Sequence, residues 1–421
     1  MRILVIGSGG REHALVWKMK EDDKRTDLFA IPGNGGISED AECLNGNADL
    51  PTQMAAIAME RKVDLTVVGP EVPLAAGISD IFIRKGLKIF GPVQKGAMLE
   101  SSKCFAKDFM KRNNIPTADY TVADSLEESI KILEDRRFPC VIKYDGLAAG
   151  KGVQVSMDIN EAQDFVCRIY RERIFGSENQ KVVIEDCLSG TEMSYLVFAD
   201  GSTFIPMVPA KDHKRVFDGD RGPNTGGMGC YSPSDIFNSR LEKTIQKEIV
   251  LPTLGGLEKE NIDYRGVLYF GIMLTDKGPF LLEYNVRFGD PETQVILPRM
   301  ESSLTDVMEA VVEGLLAKVR VRWSGRKAVC VILSSGGYPG RYETGKEIKR
   351  LGEAKEEGVM IFHAGTKKES GRMVTAGGRV LGITALDDDI GKAAGKAYLA
   401  AEIIDFEGKH YRKDIGLEHR E

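Results

Sequence analysis

Short apolar runs that stop abruptly at glycine or proline recur through the N-terminal part of the chain. Such runs are typical of buried parallel strands, and the pattern predicts strands over 2–6, 28–31, 64–68 and 87–90. The first run leads through a glycine turn into a helix over about 11–20. Strand, glycine turn and helix in this order predict a Rossmann-like α/β domain, to which we assign residues 1–101.

The glycine turn of this domain is a candidate phosphate site. Backbone N–H groups at Gly9 and Gly10 open the helix and can hold an anion. The spacing is GxGG followed by Glu12 rather than GxGxxG, and the second strand runs into Pro32 with no acidic residue placed for a ribose. We therefore predict no NAD site. The third strand ends in GPE, which puts Glu71 outside a strand's carboxyl end, where open α/β sheets bind ligands.

Lysines mark the next polar positions. A serine pair predicts the start of a helix that carries Lys103 and Lys107, and we expect Lys107 to be solvated. A short apolar strand over 140–144 contains Lys143, and a lysine inside an apolar strand needs a partner.

The loop after this strand is rich in glycine. It surrounds Lys151 with Gly146, Gly150 and Gly152. Glycines let backbone N–H groups approach phosphate oxygens, although the loop lacks the GxxxxGK[ST] pattern of a P-loop. A flexible hairpin is an equally good interpretation of the residues alone.

A further strand is predicted over 181–188, after which Gly190 turns the chain toward Glu192 and a strand over 194–199. Main chain at the strand end could bind an adenine edge, and Glu192 could take ribose hydroxyls. The alternative is a plain surface hairpin, which the residues alone favour.

The segment 210–232, AKDHKRVFDGDRGPNTGGMGCYS, is predicted as a long polar loop. Long polar loops inside compact domains are usually functional or disordered, and the mixed charges and embedded aromatics argue against disorder. We expect it to close over a small anionic substrate. We assign no catalytic role to His213.

The stretch LLEYNVRFGDPETQ, which begins at Leu281, turns from an apolar run into carboxylate, amide and guanidinium groups. If it stays extended, Glu283, Asn285 and Arg287 point to one face, because strand side chains alternate. A carboxylate and an amide oxygen suit Mg²⁺, and Arg287 adds a planar fork for phosphate or carboxylate. A turn then returns Glu292 toward the same pocket. An edge strand with a solvated face is the alternative.

Helices are predicted over 235–259, despite Pro252, and over 303–318, with an apolar strand over 265–274 between them. The polar SGRK run indicates a linker. Beyond it we predict strands over 327–333, 359–364 and 379–385, and a helix over 391–403. The assigned units are a central core over 102–325 and a small β-rich C-terminal domain over 326–421.

Composition narrows the function classes. The chain has 421 residues, 42% of them hydrophobic and 29% charged, which is ordinary for a globular protein. The net charge of −6 with scattered basic residues disfavours nucleic-acid binding. No run is long enough for a membrane span or typical of a signal peptide. Seven cysteines without CxxC spacing indicate reduced thiols, a cytoplasmic location and no zinc site.

Taken together, the residues indicate an ATP- and Mg²⁺-dependent enzyme that acts on small anionic metabolites. Positive groups, glycines and oxygen ligands suit phosphoryl transfer, in which positioning and charge stabilisation dominate. The sequence contains no nucleophile elbow, CxxC or HExxH motif for another chemistry. At this level a ligase and a kinase remain equally open.

Three motifs carry a resemblance to a known family: RFGDPETQ, GSGGREHAL from Gly7, and RKDIG from Arg412. They are similar to those of phosphoribosylamine-glycine ligases, also called glycinamide ribonucleotide synthetases, of the ATP-grasp superfamily. The resemblance runs nearly end to end and implies an ATP-grasp core of two α+β subdomains, the smaller at about 121–190. It implies that glycine and 5-phosphoribosylamine are joined through glycyl phosphate at the expense of ATP, with Mg²⁺ or Mn²⁺.

The resemblance also implies roles for individual residues. On the nucleotide side these are phosphate contacts by Lys103 and Lys143, a covering loop with Gly146, Gly150 and Gly152, adenine contacts by Glu185, Cys187 and Leu188, a ribose contact by Glu192, and metal ligation by Glu283 and Asn285. On the substrate side they are Arg287, Asp212 and Asn224 as catalytic groups, with Thr225, Gly226, Gly227, Asp290 and Glu292 as substrate-binding residues, and Gly9, Gly10 and Glu71 near phosphoribosylamine.

Cys187, Thr191 and Tyr144 depart from the family pattern, which affects adenine packing and the approach of the glycine loop. Three rival functions stay open: a small-molecule kinase, another ATP-grasp ligase that uses formate or bicarbonate, and a non-catalytic nucleotide-binding module. A monomer is compatible with this reading, and the sequence leaves the oligomeric state open.

Overall fold

The computed structural model describes residues 1–148, 150–176 and 180–417. Its N-terminal part is a five-stranded parallel sheet in the order β3-β2-β1-β4-β5, flanked by helices. The elements are β1 (Arg2–Gly7), α1 (Gly10–Asp22), β2 (Asp27–Pro32), α2 (Ile37–Asp40), β3 (Glu42–Cys43), α3 (Pro51–Glu60), β4 (Leu65–Val68), α4 (Glu71–Ala75), α5 (Ile78–Arg84), β5 (Ile89–Phe90) and α6 (Gln94–Ser101). The strand order reverses between β1 and β4, which opens a crevice at their carboxyl ends.

A small subdomain follows the helix that carries the first candidate lysine. The elements are α7 (Lys103–Arg112), β6 (Tyr120–Ala123), α8 (Leu126–Glu134), β7 (Cys140–Tyr144), β8 (Val153–Ser156), α9 (Ile159–Tyr170) and β9 (Val182–Asp186). The strands form one antiparallel sheet in the order β6-β9-β7-β8, and α8 and α9 bury their apolar faces against it. We call β6 to β9 with α8 and α9 the small subdomain. The prediction of a strand over 140–144 is confirmed.

The segment that was predicted as a polar loop consists of short strands. The elements from here to the second long helix are β10 (Thr191–Ala199), β11 (Phe204–Pro206), β12 (Lys211–Asp212), β13 (Arg215–Phe217), β14 (Arg221–Asn224), β15 (Gly229–Ser232), α10 (Ser239–Ile245) and α11 (Leu251–Lys259). The loop prediction for 210–232 was therefore wrong. Strands β13 and β14 form a hairpin, and β12 and β15 pair with each other.

The predicted helix over 235–259 is also interrupted. It begins at Ser239, capped by Asn238, and a π-helical turn at Gln246–Val250 separates α10 from α11. Pro252 lies directly after this turn. A proline ring clashes with the carbonyl four residues earlier, so the wider turn accommodates it without ending the helical path.

The central sheet and the C-terminal part contain the remaining elements. They are β16 (Gly266–Thr275), β17 (Gly278–Asn285), α12 (Thr293–Ile296), α13 (Leu304–Glu313), β18 (Lys327–Ser334), α14 (Leu351–Glu356), β19 (Met360–His363), β20 (Thr366–Glu369), β21 (Arg372–Thr375), β22 (Arg379–Asp387) and α15 (Ile390–Ile403). An antiparallel sheet β11-β10-β16-β17 forms the core, and a second sheet runs β12-β15-β18-β22-β19. The predicted mixed α/β and α+β fold class is confirmed.

The second sheet joins two parts of the chain that the sequence analysis treated as separate units. Strand β15 pairs with β18 so that Cys230 lies opposite Cys330. The alanine-rich face of α15 packs against β18 and β22 with its alanines fully buried. The C-terminal strands therefore support the segment that was predicted to cover the substrate. Among the described helices, none has the length and apolar character needed to cross a bilayer.

Candidate active site

Strand β17 presents the predicted metal ligands where the small subdomain meets the core. A bulge between Gly271 and Ile272 of β16 shifts the register, so that Glu283 lies opposite Gly271. Glu283 and Asn285 are half-buried, whereas Tyr284 between them is fully buried in the core. The two oxygen-bearing side chains thus share one face, as alternation along a strand requires.

Three lysines surround the carboxylate of Glu283. Lys103 Nζ lies 3.1 Å from Glu283 Oε2. Burial alone would raise the pKa of Glu283, but the nearby charges of Lys103, Lys214 and Lys143 hold this pKa well below its usual range. Lys214 also donates to Glu192 Oε2 at 2.9 Å. Lys214 was not predicted as a site residue, and its place within a polar run was the only available signal.

A buried ion cluster lies beside these lysines. The Glu185 carboxylate contacts the ammonium groups of both Lys107 and Lys143. Lys107 and Glu185 are each only 2% exposed, so the prediction that Lys107 is solvated was wrong. Lys143 Nζ also donates to the carbonyl of Leu282, next to Glu283, at 3.0 Å.

This cluster changes the expected role of Glu185. Its carboxylate faces the two lysines, which leaves only its main chain for an adenine ring. Cys187 and Leu188 follow β9 and are half-buried, and Glu192 is exposed at the start of β10. Of the nucleotide-side candidates, Glu185 and Lys143 thus connect β9 to β17.

The glycine loop closes the same side of the site. Tyr144 N donates to Gly152 O at 2.7 Å, which holds the two ends of the loop together. Gly150 has φ +76°, and a Cβ added there would lie 3.8 Å from the carbonyl oxygen of Thr225. Gly146 begins the loop, and Ala149, the neighbour of Gly150, lies outside the described residues. The loop thus approaches the Thr225–Gly227 segment of the core.

Arg287 lies two residues beyond the end of β17, and carboxylates hold its guanidinium. Its Nε donates to Glu71 Oε2 at 3.2 Å and its Nη2 donates to Glu100 Oε1 at 2.8 Å and to Asn285 Oδ1 at 3.2 Å. Burial alone would raise the pKa of Glu71, but Arg287 and Arg11 lower it to about 2. Burial raises the pKa of Glu100 despite the adjacent guanidinium. Glu100 was not predicted because it lies on a helix without a local motif.

Asp290 joins three parts of the chain. Arg379 Nη2, from the C-terminal strand β22, lies 3.1 Å from Asp290 Oδ2, and its Nη1 donates to Asp290 O at 2.9 Å. The same Nη1 donates to the carbonyl of Gly226, while Gly226 N donates to Tyr338 OH at 3.0 Å. A Cβ added to Gly9 would lie 3.4 Å from Asp290 Oδ2. Arg379 was missed because nothing in the local sequence marks its distant partners.

The N-terminal glycine turn is packed tightly in the same place. Gly9 N donates to Glu12 Oε2 at 2.5 Å, and Arg11 Nη1 donates to Phe288 O at 3.1 Å. A Cβ added to Gly10 would lie 2.7 Å from Gln294 Nε2, so a side chain there would have to displace the Gln294 amide, which donates to Asp290 Oδ1 at 2.7 Å. The Gly9 N–H that was predicted to hold a phosphate is already used by Glu12.

Two more carboxylates, those of Glu292 and Asp212, lie close to each other. Glu292 Oε1 accepts from Ser194 Oγ at 2.8 Å and from Tyr269 OH at 2.9 Å. Asp212 Oδ1 is buried without a hydrogen-bond partner and would lie 2.6 Å from a Cβ added to Gly227. Burial and the charge of Glu292 raise the pKa of Asp212 well above its usual range.

Comparison with protein-family models decides what these residues belong to. Models described as the N domain, the ATP-grasp (A) domain and the C domain of phosphoribosylglycinamide synthetase match residues 1–100, 101–293 and 328–418. The chain belongs to the phosphoribosylglycinamide synthetase family.

Individual relatives of the chain lead to the same family assignment. A phosphoribosylamine-glycine ligase of Caldanaerobacter subterraneus subsp. tengcongensis is 46% identical over 415 residues, 99% of this chain and 99% of the relative. One of Clostridium acetobutylicum is 46% identical over 416 residues, again 99% of each. The crystal structure of the Thermotoga maritima phosphoribosylamine-glycine ligase superposes with a TM-score of 0.85 at 35% identity, covering 98% of this chain and 100% of that chain.

A more distant likeness concerns the fold of the family alone. The biotin carboxylase domain of Hydrogenobacter thermophilus 2-oxoglutarate carboxylase, solved with MgADP and bicarbonate, superposes with a TM-score of 0.72 at 15% identity. It covers 97% of this chain and 91% of that chain. This supports the ATP-grasp fold of the core and small subdomain.

The polar side chains on β17 are suited to a divalent cation that also binds the phosphates of a nucleotide. Within the described residues, no group of three or more His, Cys, Asp and Glu side chains could hold a metal by itself. Glu283 and Asn285 instead offer two oxygens on one face, each engaged by a cation of the protein. Mg²⁺ commonly takes one or two protein oxygens and completes its shell with phosphate and water.

Of the three predicted catalytic residues, Asn224 is the most exposed to solvent. It is exposed at the end of β14 and pairs with Arg215 across the hairpin. With Lys151 it lines a cavity of about 430 Å³ between the hairpin and the small subdomain. The structure thus places Asn224 at the rim that faces the small subdomain, and its catalytic role stays a prediction.

Proposed function

We propose that this chain joins glycine to 5-phosphoribosylamine at the expense of ATP, giving glycinamide ribonucleotide, ADP and phosphate. The observation that carries the proposal is the cluster of three lysines around the Glu283 carboxylate, with Asn285 beside it on the same strand face. This arrangement suits a metal-bound triphosphate. Full-length relatives named phosphoribosylamine-glycine ligase support the choice of substrates.

The reaction has two steps. A carboxylate oxygen of glycine attacks the γ-phosphorus of ATP, the bond to the β-phosphate oxygen breaks, and ADP leaves. The amine nitrogen of phosphoribosylamine then attacks the acyl carbon of glycyl phosphate, phosphate leaves, and the new amide nitrogen loses a proton. Phosphorylation is needed because a carboxylate would otherwise have to expel oxide. The protein contributes mainly position and charge stabilisation, as is usual for phosphoryl transfer.

On the nucleotide side, Lys103 and Lys143 bind phosphate oxygens, and the loop with Gly146, Gly150 and Gly152 covers them. The main chain from Glu185 to Leu188 lines the adenine, with the Cys187 side chain beside it. Glu192 binds ribose hydroxyls and exchanges its present partner Lys214 for them. Lys214 then becomes available to the phosphates near Glu283.

Glu283 and Asn285 hold the divalent cation, Mg²⁺ or Mn²⁺. When bound, such an ion neutralises phosphate charge during transfer. Binding requires that Lys103 and Arg287 release these two oxygens, and both cations have a phosphate or a second carboxylate as an alternative partner. Glu283 is already ionised at neutral pH because its pKa is lowered, so no proton has to leave.

On the substrate side, the buried carboxylates of Asp212 and Glu292 hold the ammonium group of glycine. The unpartnered Asp212 Oδ1 supports this assignment. Arg287 binds the glycine carboxylate when one of its present carboxylate partners moves aside, and the Thr225–Gly227 segment with Asn224 closes over the acyl phosphate. Gly9, Gly10, Glu71 and Asp290 form the place for phosphoribosylamine, with Gly10 rather than Gly9 offering a backbone N–H.

Three further parts of the proposal concern the whole chain. The domain bounds are 1–101, 102–325 with the smaller subdomain at about 121–190, and 326–421. A cytoplasmic location is favoured by seven unpaired cysteines, since reducing compartments keep thiols free. The chain acts on small molecules as a monomer, which light scattering of the purified protein checks.

The experiment is an omission series on the purified protein. ADP release is measured with Mg²⁺-ATP, glycine and freshly generated phosphoribosylamine, and each component is left out in turn. We expect ADP only when both co-substrates are present, with an equal amount of glycinamide ribonucleotide. ADP that appears without the amine would favour a kinase, and replacement of glycine by formate or bicarbonate would favour another ligase.

A further inference from the structure

The buried cluster of Lys107, Glu185 and Lys143 has a composition that phosphate binding alone does not require. Only Lys143 lies beside the phosphate loop, while Lys107 is on α7 and is almost completely buried. Glu185 is likewise buried and contacts both ammonium groups. Burying charges costs free energy unless each has partners, so the cluster is expected to serve something besides stability.

Lys107 also reaches the chain that enters the small subdomain. Its Nζ donates to Thr117 Oγ1 at 2.7 Å, and Thr117 Oγ1 donates to the carbonyl of Leu281 at 2.7 Å. Leu281 N in turn donates to Pro116 O at 2.8 Å. The chain entering the small subdomain is thereby fastened to β17 just before Glu283.

The same side chain reaches the last strand of the small subdomain. Glu185 belongs to β9, directly before the main chain that follows with Cys187 and Leu188. Lys143, the other partner of Glu185, donates to Leu282 O on β17. A single ammonium group therefore joins α7, the entry to the small subdomain and the exit strand, all within reach of the strand that carries Glu283.

We propose that Lys107 is a positioning residue for ATP binding. Lys107 holds Glu185 and thereby fixes Lys143 and the main chain after β9 relative to β17. Lys107 does not touch the nucleotide in this assignment. The inference rests on the proposed function for the identity of the nucleotide site, and it adds a residue to which no role was assigned.

The lowered pKa of Lys107 agrees with this geometry. Burial and the charge of Lys143 lower the pKa of Lys107 to about 8, against the opposing effect of Glu185. The groups that face Lys107 are Lys103 on its own helix, Glu185 on β9, Lys143 on β7 and the Tyr120 ring on β6. Lys107 is charged below this pKa and neutral above it, so the contact with Glu185 weakens as pH rises through about 8.

The test compares Lys107→Met and Lys107→Arg with a matched control. Lys111 lies one turn further along the same helix and is exposed, so Lys111→Met removes the same charge without the buried contacts. Binding of a non-hydrolysable ATP analogue with Mg²⁺ is measured by calorimetry, and KM values for ATP and glycine by ADP release. Thermal unfolding shows that each variant is folded.

For Lys107→Met we expect the Kd of the analogue and the KM for ATP to rise about tenfold or more, because misplacement of binding groups is costly. The KM for glycine should change less than about twofold. Lys107→Arg should recover most of the ATP affinity, and Lys111→Met should match the parent protein. A loss of unfolding temperature with unchanged ATP affinity would show that Lys107 is only structural.

The pH profile separates the two roles further. In the parent protein, kcat/KM for ATP should fall as pH rises through about 8, and in Lys107→Arg this inflection should disappear because arginine stays charged. An identical profile in both proteins overturns the inference. Calorimetry with the analogue alone needs no ligase activity, so failure of the proposed reaction and failure of this inference are distinguishable.

Discussion

The proposed nucleotide side and the proposed substrate side of the site differ in their balance of charge. On the nucleotide side, Lys103, Lys107, Lys143 and Lys214 surround the carboxylates of Glu185, Glu192 and Glu283, so cations are in excess. On the substrate side, Arg287 and Arg379 lie among more carboxylates than they can pair, namely Glu71, Glu100, Asp212, Asp290 and Glu292.

This difference matches what each side is proposed to bind. An excess of lysine suits a triphosphate, because a flexible ammonium can leave a carboxylate for a phosphate oxygen. An excess of carboxylate suits the ammonium group of glycine and the amine of phosphoribosylamine. Arginine holds the acidic side together because its fixed fork binds two partners at once. In the proposed function, the balance of charge thus favours the triphosphate in one part of the site and the two amino groups in the other.

The largest loss of activity is expected when a charged residue on β17 or just after it is replaced. Glu283→Ala and Arg287→Ala should each lower turnover by about 10² or more, because charge-stabilising groups at the reacting centre are lost. ADP release measures this, with Glu301→Ala, an exposed acidic position outside the site, as the control. Near-normal turnover in a folded Glu283→Ala protein would refute the metal assignment.

A smaller effect is expected from the acidic side. Asp212→Asn should lower kcat/KM for glycine by about tenfold or more, since the amide cannot pair with an ammonium group. The pKa of Asp212 is raised, so its ionisation costs stability as pH rises through that pKa. Asparagine removes this cost.

The Asp212→Asn protein should therefore unfold at a higher temperature than the parent at pH 7, while the difference should vanish at acid pH. Calorimetric unfolding at several pH values checks this. A variant that loses both stability and glycine affinity would show that Asp212 is a structural group.

Loss of the Arg379 contacts, which come from the C-terminal domain, should lower activity less. Arg379→Met removes the ion pair of Asp290, which keeps Gln294 as a donor, and takes the Arg379 donor away from the carbonyl of Gly226; we expect this to cost about 1–3 kcal/mol of unfolding free energy. It should lower kcat/KM for glycine several-fold and leave the KM for ATP unchanged. Arg372→Met, on the exposed hairpin of the same domain, is the control. A rise in the KM for ATP alone would contradict the division between the two sides.

The smallest effect is expected at Glu192. Its carboxylate and Lys214 are both substantially exposed, and exposed ion pairs contribute less than about 1 kcal/mol to stability. Glu192→Gln should leave the unfolding temperature unchanged and raise the KM for ATP only a few-fold. A comparison with 2′-deoxyadenosine triphosphate would show whether the loss concerns the ribose.

Local sequence was sufficient for parts of the molecule whose structure depends on neighbours in the chain. The strand over 140–144 and the shared face of Glu283 and Asn285 follow from alternation and from flanking glycines. The glycine turn after β1 was found for the same reason. These features need no knowledge of what packs against them.

Features that depend on residues far apart in the chain were not predicted from the sequence. Lys107 has an unremarkable position on a helix, and only the packing of β9 and Thr117 against it makes it a buried residue. Strands β12 and β15 are short, and their extended form depends on partners, since β12 pairs with β15 and β15 pairs with the distant β18. Glu100 and Arg379 became site residues only when the fold brought Arg287 and Asp290 to them.

The pairing of β15 with β18 also bears on how the protein is made. Gly229 pairs with Val331, so on a ribosome the free edge of β15 has no partner on that side until Val331 has been synthesised and released from the exit tunnel. The segment before β15, which is proposed to close over the substrate, therefore reaches its final structure late in synthesis. A chain cut short before β18 exposes an unpaired strand edge, which favours aggregation and removal by proteases over a half-active enzyme.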